Sequence, residues 1–487
     1  MSELEQIYLH IDSHIDEHVQ KLQEFLRQPS ISQTGEGVRE CAELLRSYLL
    51  NLECQSAELV DDNYISPIVF GKYDAGAKKT LIVYMMYDVQ PTEDIAQWSV
   101  PPFEARLVEK APFRKVVMAR GAINTKGPLR TFLNSLESIK AVTGKLPINL
   151  IFVAEGEEEK LSVSLRNKFI HSHKDELKRA QAVLFPSAGQ DQNGLARVRG
   201  GSEGILYFEL ECSGKRWGRG PTEFGVHGIM KRILDSPAWR MIKALSSLVS
   251  EDGNTVKVKG WYDKVVKPSK EDLKLVKEAA KYFDIELMKK SLRVKKFMND
   301  VKDPVELVKM SLFNTTFNLD GIWGGWTGPG SKTLLPHMVT SKHNIRFVPN
   351  QEMEDLVKKI RRHLDQKGYR DIEMRVLGGY SWANADYKTH IAQAVIRTYK
   401  KFKVKYVLYP PVVSDNEFAP AWPACAFSKP PLNLPIAVGG LGHGDRAHSP
   451  DEYYVIEGAK GKHGEVYGLA GAEKSYATIL YDFATSK

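Results

Sequence analysis

The sequence predicts an α/β protein with a mainly parallel central sheet, interrupted by an inserted α+β unit. Three observations carry this. Four apolar runs each end in a polar motif: Thr80–Tyr87 runs into Asp88-Val89-Gln90-Pro91, Ile148–Val153 into Ala154–Glu159, Ala182–Phe185 into Pro186–Gly189, and Leu434–Val438 into a glycine-rich loop ending at Pro450. Amphipathic helices lie between them, one over about Leu129–Val142, with Leu129, Phe132, Leu133, Leu136 and Ile139 at helical spacing and Gly144 as a stop. Strands alternating with helices give a parallel sheet. Third, the texture changes after about Gly200 and returns near Asn384.

In chain order, Ile7, Ile11, Ile15, Val19, Leu22 and Leu26 predict one opening helix, ended by Pro29-Ser30. Gly204–Cys212 alternates as a half-exposed strand. Helical stretches follow over about 226–249 and 269–312, then a strand over 335–348 and a helix over 351–366. The expected domains are therefore 1–200 and 384–487 as one α/β body, with 201–383 inserted. Open parallel sheets bind ligands at the carboxyl ends of their strands, so the four polar motifs are expected to share one crevice.

Composition narrows the class. With 487 residues, 43% hydrophobic and 26% charged, the chain has ample core and more than one domain. No apolar run has membrane-spanning length, and the acidic start Met1–Gln6 lacks a signal-peptide pattern, so a cytoplasmic, membrane-free protein is expected. Cys41, Cys54, Cys212 and Cys425 are dispersed and read as buried free thiols. A net charge of +8, with lysine concentrated over 257–309, reads as a solvated helical face; no nucleic-acid-binding motif accompanies it, and no such partner is expected.

Glu155, Glu157, Glu158 and Glu159 are the chemical centre of the sequence. Four carboxylates at the mouth of a buried strand repel one another unless a cation, a substrate or proton transfer uses them; the bland reading is a solvated acidic turn. The motifs around them resemble the aminoacylase/carnosinase-type zinc peptidases, which include carnosine dipeptidase-like enzymes, carboxypeptidase G and succinyl-diaminopimelate desuccinylase. Met86–Pro91 is similar to that family's His-x-Asp-Val-Gln-Pro, and Trp98 with Pro101–Glu104 to the residues after it. Arg120–Gly127 is similar to Arg-Gly-Ala-x-Asp-Asp-Lys-Gly, and Ala447–Glu452 to the final ligand motif. Gly328–Thr333 and Ile345–Asn350 are also family-like.

The resemblance implies a catalytic domain, an inserted lid that forms a homodimer, and two zinc ions on a bridging aspartate. It also marks departures. Of the five metal-ligand positions, Met86, Asn124 and Ser187 have replaced ligands, whereas Glu159 and His448 keep theirs. A thioether, an amide and a neutral hydroxyl are poor zinc donors. The expected cofactor is therefore none, or one weakly bound divalent metal, zinc or manganese. Glu158 and Asp88 are the expected catalytic residues, with Glu158 as base; Arg346, Lys126, Arg219 and Trp422 are the expected substrate contacts. Arg346 stands where the family binds a carboxylate, and the bulky Phe418–Pro423 loop suggests an apolar ligand group beside it. Gly218 stands where the family's lid histidine reaches the partner site, with Arg216 and Arg219 flanking it; His227 reads as a packed lid residue.

The leading functional expectation is a divergent hydrolase of this family, acting on a small carboxylate-bearing amide. The alternatives are a metal-free lyase, isomerase or acyl-transfer enzyme using Glu158 or His448, and a non-catalytic binding subunit.

Overall fold

The computed structural model describes the chain except residues 62, 93–94, 199–200, 411–421 and 487. Two compact units are present. One comprises Met1–Ser202 and Asn384–Lys487, the other Glu203–Ala383.

The first unit is built on a six-stranded sheet in the order Ser56–Val60, Ile68–Tyr73, Asn149–Glu155, Thr80–Met86, Ala182–Pro186, Ile436–Gly439. The last four strands run parallel to their neighbours; the first two are antiparallel at one edge. The apolar runs form these strands because both sheet faces are buried, as in Leu81, Ile82 and Val83, where alternation with polar residues would fail. Helix Lys126–Thr143 packs against the terminal helix Leu469–Thr485. Register places Met86 beside Glu155, so the polar motifs after these strands leave the sheet side by side. A smaller sheet, Gly444–Asp445, Tyr453–Glu457, Phe113–Met118 and Arg106–Lys110, carries the later motif.

The opening helix is two helices, Glu3–Ser13 and Ile15–Arg27, divided at His14 (φ −114°, ψ 15°). The reason is packing: Ile7 and Ile11 enter the main core, whereas Val19, Leu22 and Leu26 enter a separate cluster with Val117 and Tyr454.

The second unit has a four-stranded antiparallel sheet in the order Asn318–Trp323, Met338–Phe347, Gly204–Ser213, Glu373–Tyr380. Leu206, Phe208 and Leu210 face a core with Met241, Leu248, Leu356 and Ile360. The helix expected over 226–249 is confined to Pro237–Leu248, because Ser236 caps it and Pro237 occupies its first turn. The helical stretch over 269–312 is three helices, started by Ser269, Asp284 and Asp303, each accepting a hydrogen bond from the first turn. All four cysteines are free and buried. No helix of the described residues is long and apolar enough to cross a membrane.

Candidate functional site

The strand ends bring Asn124, Glu159 and His448 into direct contact. The Asn124 Nδ2 lies 3.0 Å from Glu159 Oε1 and 2.8 Å from His448 Nε2, and those two atoms are 3.1 Å apart. With Nε2 unprotonated, His448 accepts from the Asn124 amide. With Nε2 protonated, it donates to Glu159, and the Asn124 amide turned over presents its oxygen to the ring instead. Burial opposes protonation of His448, but the Glu159 carboxylate outweighs it and raises the imidazole above its ordinary value. The ring remains 52% exposed.

Glu159 is held from behind. Its Oε2 accepts from Gln90 Nε2 at 2.7 Å, and its backbone N–H donates to Asp88 Oδ2 at 3.0 Å. Asp88 is fully buried, and among the described residues its Oδ1 has no hydrogen-bond partner. Burial first, and the Glu159 charge second, push its carboxyl up to about 7. Glu158 begins the short 3₁₀ turn Glu158–Lys160 and is nearly buried.

The other two glutamates of the run serve the fold. Glu155 Oε1 accepts from Tyr84 at 2.6 Å and Ser162 at 3.0 Å, and burial raises its carboxyl well above the carboxylate range. Glu157 accepts from the Ser164 hydroxyl at 2.8 Å and from its backbone N–H, and burial raises it too.

Asn124 is positioned by Glu452. That carboxylate is 1% exposed. Its Oε1 accepts from the backbone N–H of Ile123 and Asn124, both at 2.9 Å. Its Oε2 accepts from Gly121 N–H at 3.0 Å and Arg120 Nη1 at 2.8 Å. Burial raises its carboxyl, with Arg120 opposing. The sequence motifs contain Glu452 and Gln90 but assign neither a role, and Tyr84 lies within an apolar strand run with none assigned. A signal existed for Glu452, which lies four residues from His448 and has the Arg120–Asn124 segment to serve.

Several expected contacts need correction. Lys126 is fully buried in the first turn of its helix, donates to Gln28 O at 2.5 Å and lies 4.6 Å from the Phe25 ring centroid. Its amine has no surface to offer a substrate. Trp422 is 2% exposed and packs on Tyr84 and Phe185, at 5.2 and 5.3 Å, in an aromatic cluster. Apolar burial, not ligand contact, accounts for it; residues 418–421 of the apolar loop lie outside the described residues. Arg346, expected as the contact for a substrate carboxylate, has a protein partner. Its side chain is 29% exposed and already paired with Glu203 at 3.1 Å. Arg219 is exposed and lies 3.6 Å from Asp235. Arg216 is engaged by Glu211 and Glu373. Met86 and Ser187 stand at strand ends: the Met86 carbonyl accepts from Thr125 Oγ1 at 2.8 Å, and Ser187 N–H donates to Gly439 O at 3.1 Å.

The model of peptidase family M20/M25/M40 matches residues 82–462. The chain belongs to this family. Among M20 relatives, the human Beta-Ala-His dipeptidase is 29% identical over 423 residues, 81% of this chain and 79% of the relative. The Cys-Gly metallodipeptidase dug1 of Schizosaccharomyces pombe is 26% identical over 74% of this chain and 75% of its own length. The structure of an M20 metallo-carboxypeptidase from Sulfolobus solfataricus superposes with a TM-score of 0.83 at 28% identity, covering 96% of this chain and 99% of that one. Human carnosine dipeptidase 1 shares the fold, with a TM-score of 0.78 at 22% identity, covering 99% of this chain and all of that one.

Proposed function

We propose that this chain is a divergent M20-family enzyme that cleaves a small carboxylate-bearing amide, holding at most one weakly bound divalent cation, with Glu158 as the base. The observation that carries the reading is the Asn124–Glu159–His448 cluster beside Glu158, at the strand ends where a family of peptidases keeps its chemistry. The carboxylate-bearing substrate rests on the relatives, which are named dipeptidases.

Several of those relatives are named metalloenzymes. Glu159 and His448 are good ligands. The third corner of their triangle is an amide, with no charge to hold two cations together. Among the described residues no three His, Cys, Asp or Glu side chains converge on one point. A two-metal centre does not fit these residues. Glu158 takes a proton from the attacking water. Asp88, through the Glu159 backbone, and Gln90, through its carboxylate, keep Glu159 aimed at His448. The 3.1 Å contact between His448 Nε2 and Glu159, whose carboxylate raises the imidazole, favours, as a second reading, metal-free acid–base chemistry in which His448 returns a proton to the leaving group.

The unit Glu203–Ala383 leaves Phe224, Ile229, Ile233, Trp239 and Ile242 exposed, which supports a homodimer formed through it.

The test combines metal analysis after dialysis with a panel of dipeptides and N-acyl amino acids, with and without added zinc or manganese. Well under two metal equivalents and slow amide cleavage, lost in Glu158→Gln, are expected. Dipeptide turnover of about one per second or faster, with two equivalents bound, would mean an intact two-metal peptidase.

A further inference from the structure

On the second unit, helix Met353–Gln366 buries Leu356, Ile360 and Leu364 in the core and turns a cationic face outward. Arg361 on that face is committed to the fold. Its Nε donates to Asp365 Oδ1 at 2.9 Å, Nη1 to Ile372 O at 2.6 Å and Nη2 to Tyr369 O at 2.9 Å. The last two of these bonds stitch the 367–372 turn to the helix, and Arg370 lines one groove with Lys358 and Arg362. The result is a groove of about 480 Å³, floored by Val357 and Arg361, with four cations against the single acid Asp365, which Arg361 already neutralises.

Lys358, Arg362 and Arg370 have no acidic partner among the described residues. Several other cations of this unit do pair with acids. Lys359 pairs with Asp355, Lys281 with Glu278, Lys289 with Glu286 and Lys309 with Glu306. Lys358 and Arg362 are one helical turn apart, where like charges repel. Cations near a helix C-terminus gain from its dipole, which accounts for Arg362. It accounts neither for Arg370, which lies beyond the helix, nor for the concavity. A guanidinium fork binds phosphate oxygens two at a time, and a groove of this volume suits a small molecule better than a macromolecule.

We infer that this groove binds a compact anion carrying two or more phosphate groups. The inference is independent of the chemistry proposed for the first unit.

The experiment is calorimetric titration of the full chain with inorganic tripolyphosphate, free of magnesium and at physiological ionic strength. Parallel arms use ATP, adenosine and sulfate. Saturable one-to-one binding of tripolyphosphate is expected, weakened about tenfold or more in Lys358→Gln/Arg362→Gln/Arg370→Gln, with adenosine silent. All three side chains are exposed, so an unchanged melting temperature is expected; Arg370→Gln alone provides a milder second variant. ATP binding more tightly than tripolyphosphate would identify a nucleotide as the source, and equal affinities would identify the phosphates alone; both uphold the site. No binding up to about 1 mM, sulfate matching tripolyphosphate, or affinity unchanged in the variants would overturn it. So would a variant that dissociates a dimer while keeping its tripolyphosphate affinity, since the face would then be a subunit interface.

Discussion

Glu452 and Asn124 show how one buried carboxylate can set a site. Glu452 accepts three backbone N–H groups and one guanidinium, and the last of those N–H groups belongs to Asn124 itself. Removing its charge leaves Arg120 buried without its ion-pair partner. Glu452→Ala should therefore cost roughly 3–5 kcal/mol of stability, read from urea unfolding, as breaking a buried pair does; a loss below about 1 kcal/mol would show that water or Pro91 replaces it. Glu158→Gln is a different kind of change. It is nearly isosteric and removes only the proton-accepting charge, so it should leave the melting temperature alone and lower turnover by about 10²–10⁴-fold. Unchanged turnover would move the base to His448. The sequence singled out Glu159, His448 and Asn124 because their motifs are local, and the fold brings the three into contact. Lys126 and Trp422 misled because burial is not local. A lysine beside a glycine reads as a substrate contact until Phe25 and the Gln28 carbonyl enclose it from a different helix.

At the scale of elements, the sheet strands were legible because burial on both faces writes continuous apolar runs. Helix ends were less so. The periodicity of 7–26 continues through His14, and only the division of its apolar residues between two cores reveals the break. Asp284 and Asp303-Pro304 are cap signals that periodicity alone overran. One strand residue carries a pH prediction. His343 on Met338–Phe347 is buried, stacked on Phe208 at 4.8 Å, with Nδ1 donating to Asn318 O at 3.2 Å and Nε2 accepting from Ser341 at 2.9 Å. Burial pushes its pKa down to about 4, the Asn318 carbonyl opposing. The folded ring is thus neutral where the unfolded ring is protonated. Its contribution is fully present above the unfolded value near 6.5 and is lost as pH falls towards 4. Stability should drop by roughly 2 kcal/mol between pH 7 and pH 5 from this group. Urea unfolding of wild type and His343→Gln at both pH values isolates it: the variant's pH slope should be flatter, and identical slopes would place the titration elsewhere.

For the whole molecule, the division into two units was foreseeable from texture, since the helix–strand alternation stops and resumes. The surface of the second unit was not, because an exposed apolar side chain and a buried one look alike in sequence. Ile233 and Trp239 are 75% and 59% exposed, and Trp239 shares a helix face with Ile242, three residues on. Monomeric proteins seldom leave such groups together in water, whereas the centre of an obligate interface is rich in them. If this face joins two copies, placing like charges at its centre must separate them, because each copy would bury an unpaired ammonium against its twin. Ile233→Lys/Trp239→Lys should shift the chain from dimer to monomer in sedimentation equilibrium at micromolar concentration. The helix should survive, because its buried face is Met241, Ala244 and Leu248, which the changes do not touch. Far-ultraviolet circular dichroism checks that second half of the expectation. A wild type that sediments as a monomer would leave these side chains without the proposed partner, and a double variant that still dimerises would move the interface to another face of the unit.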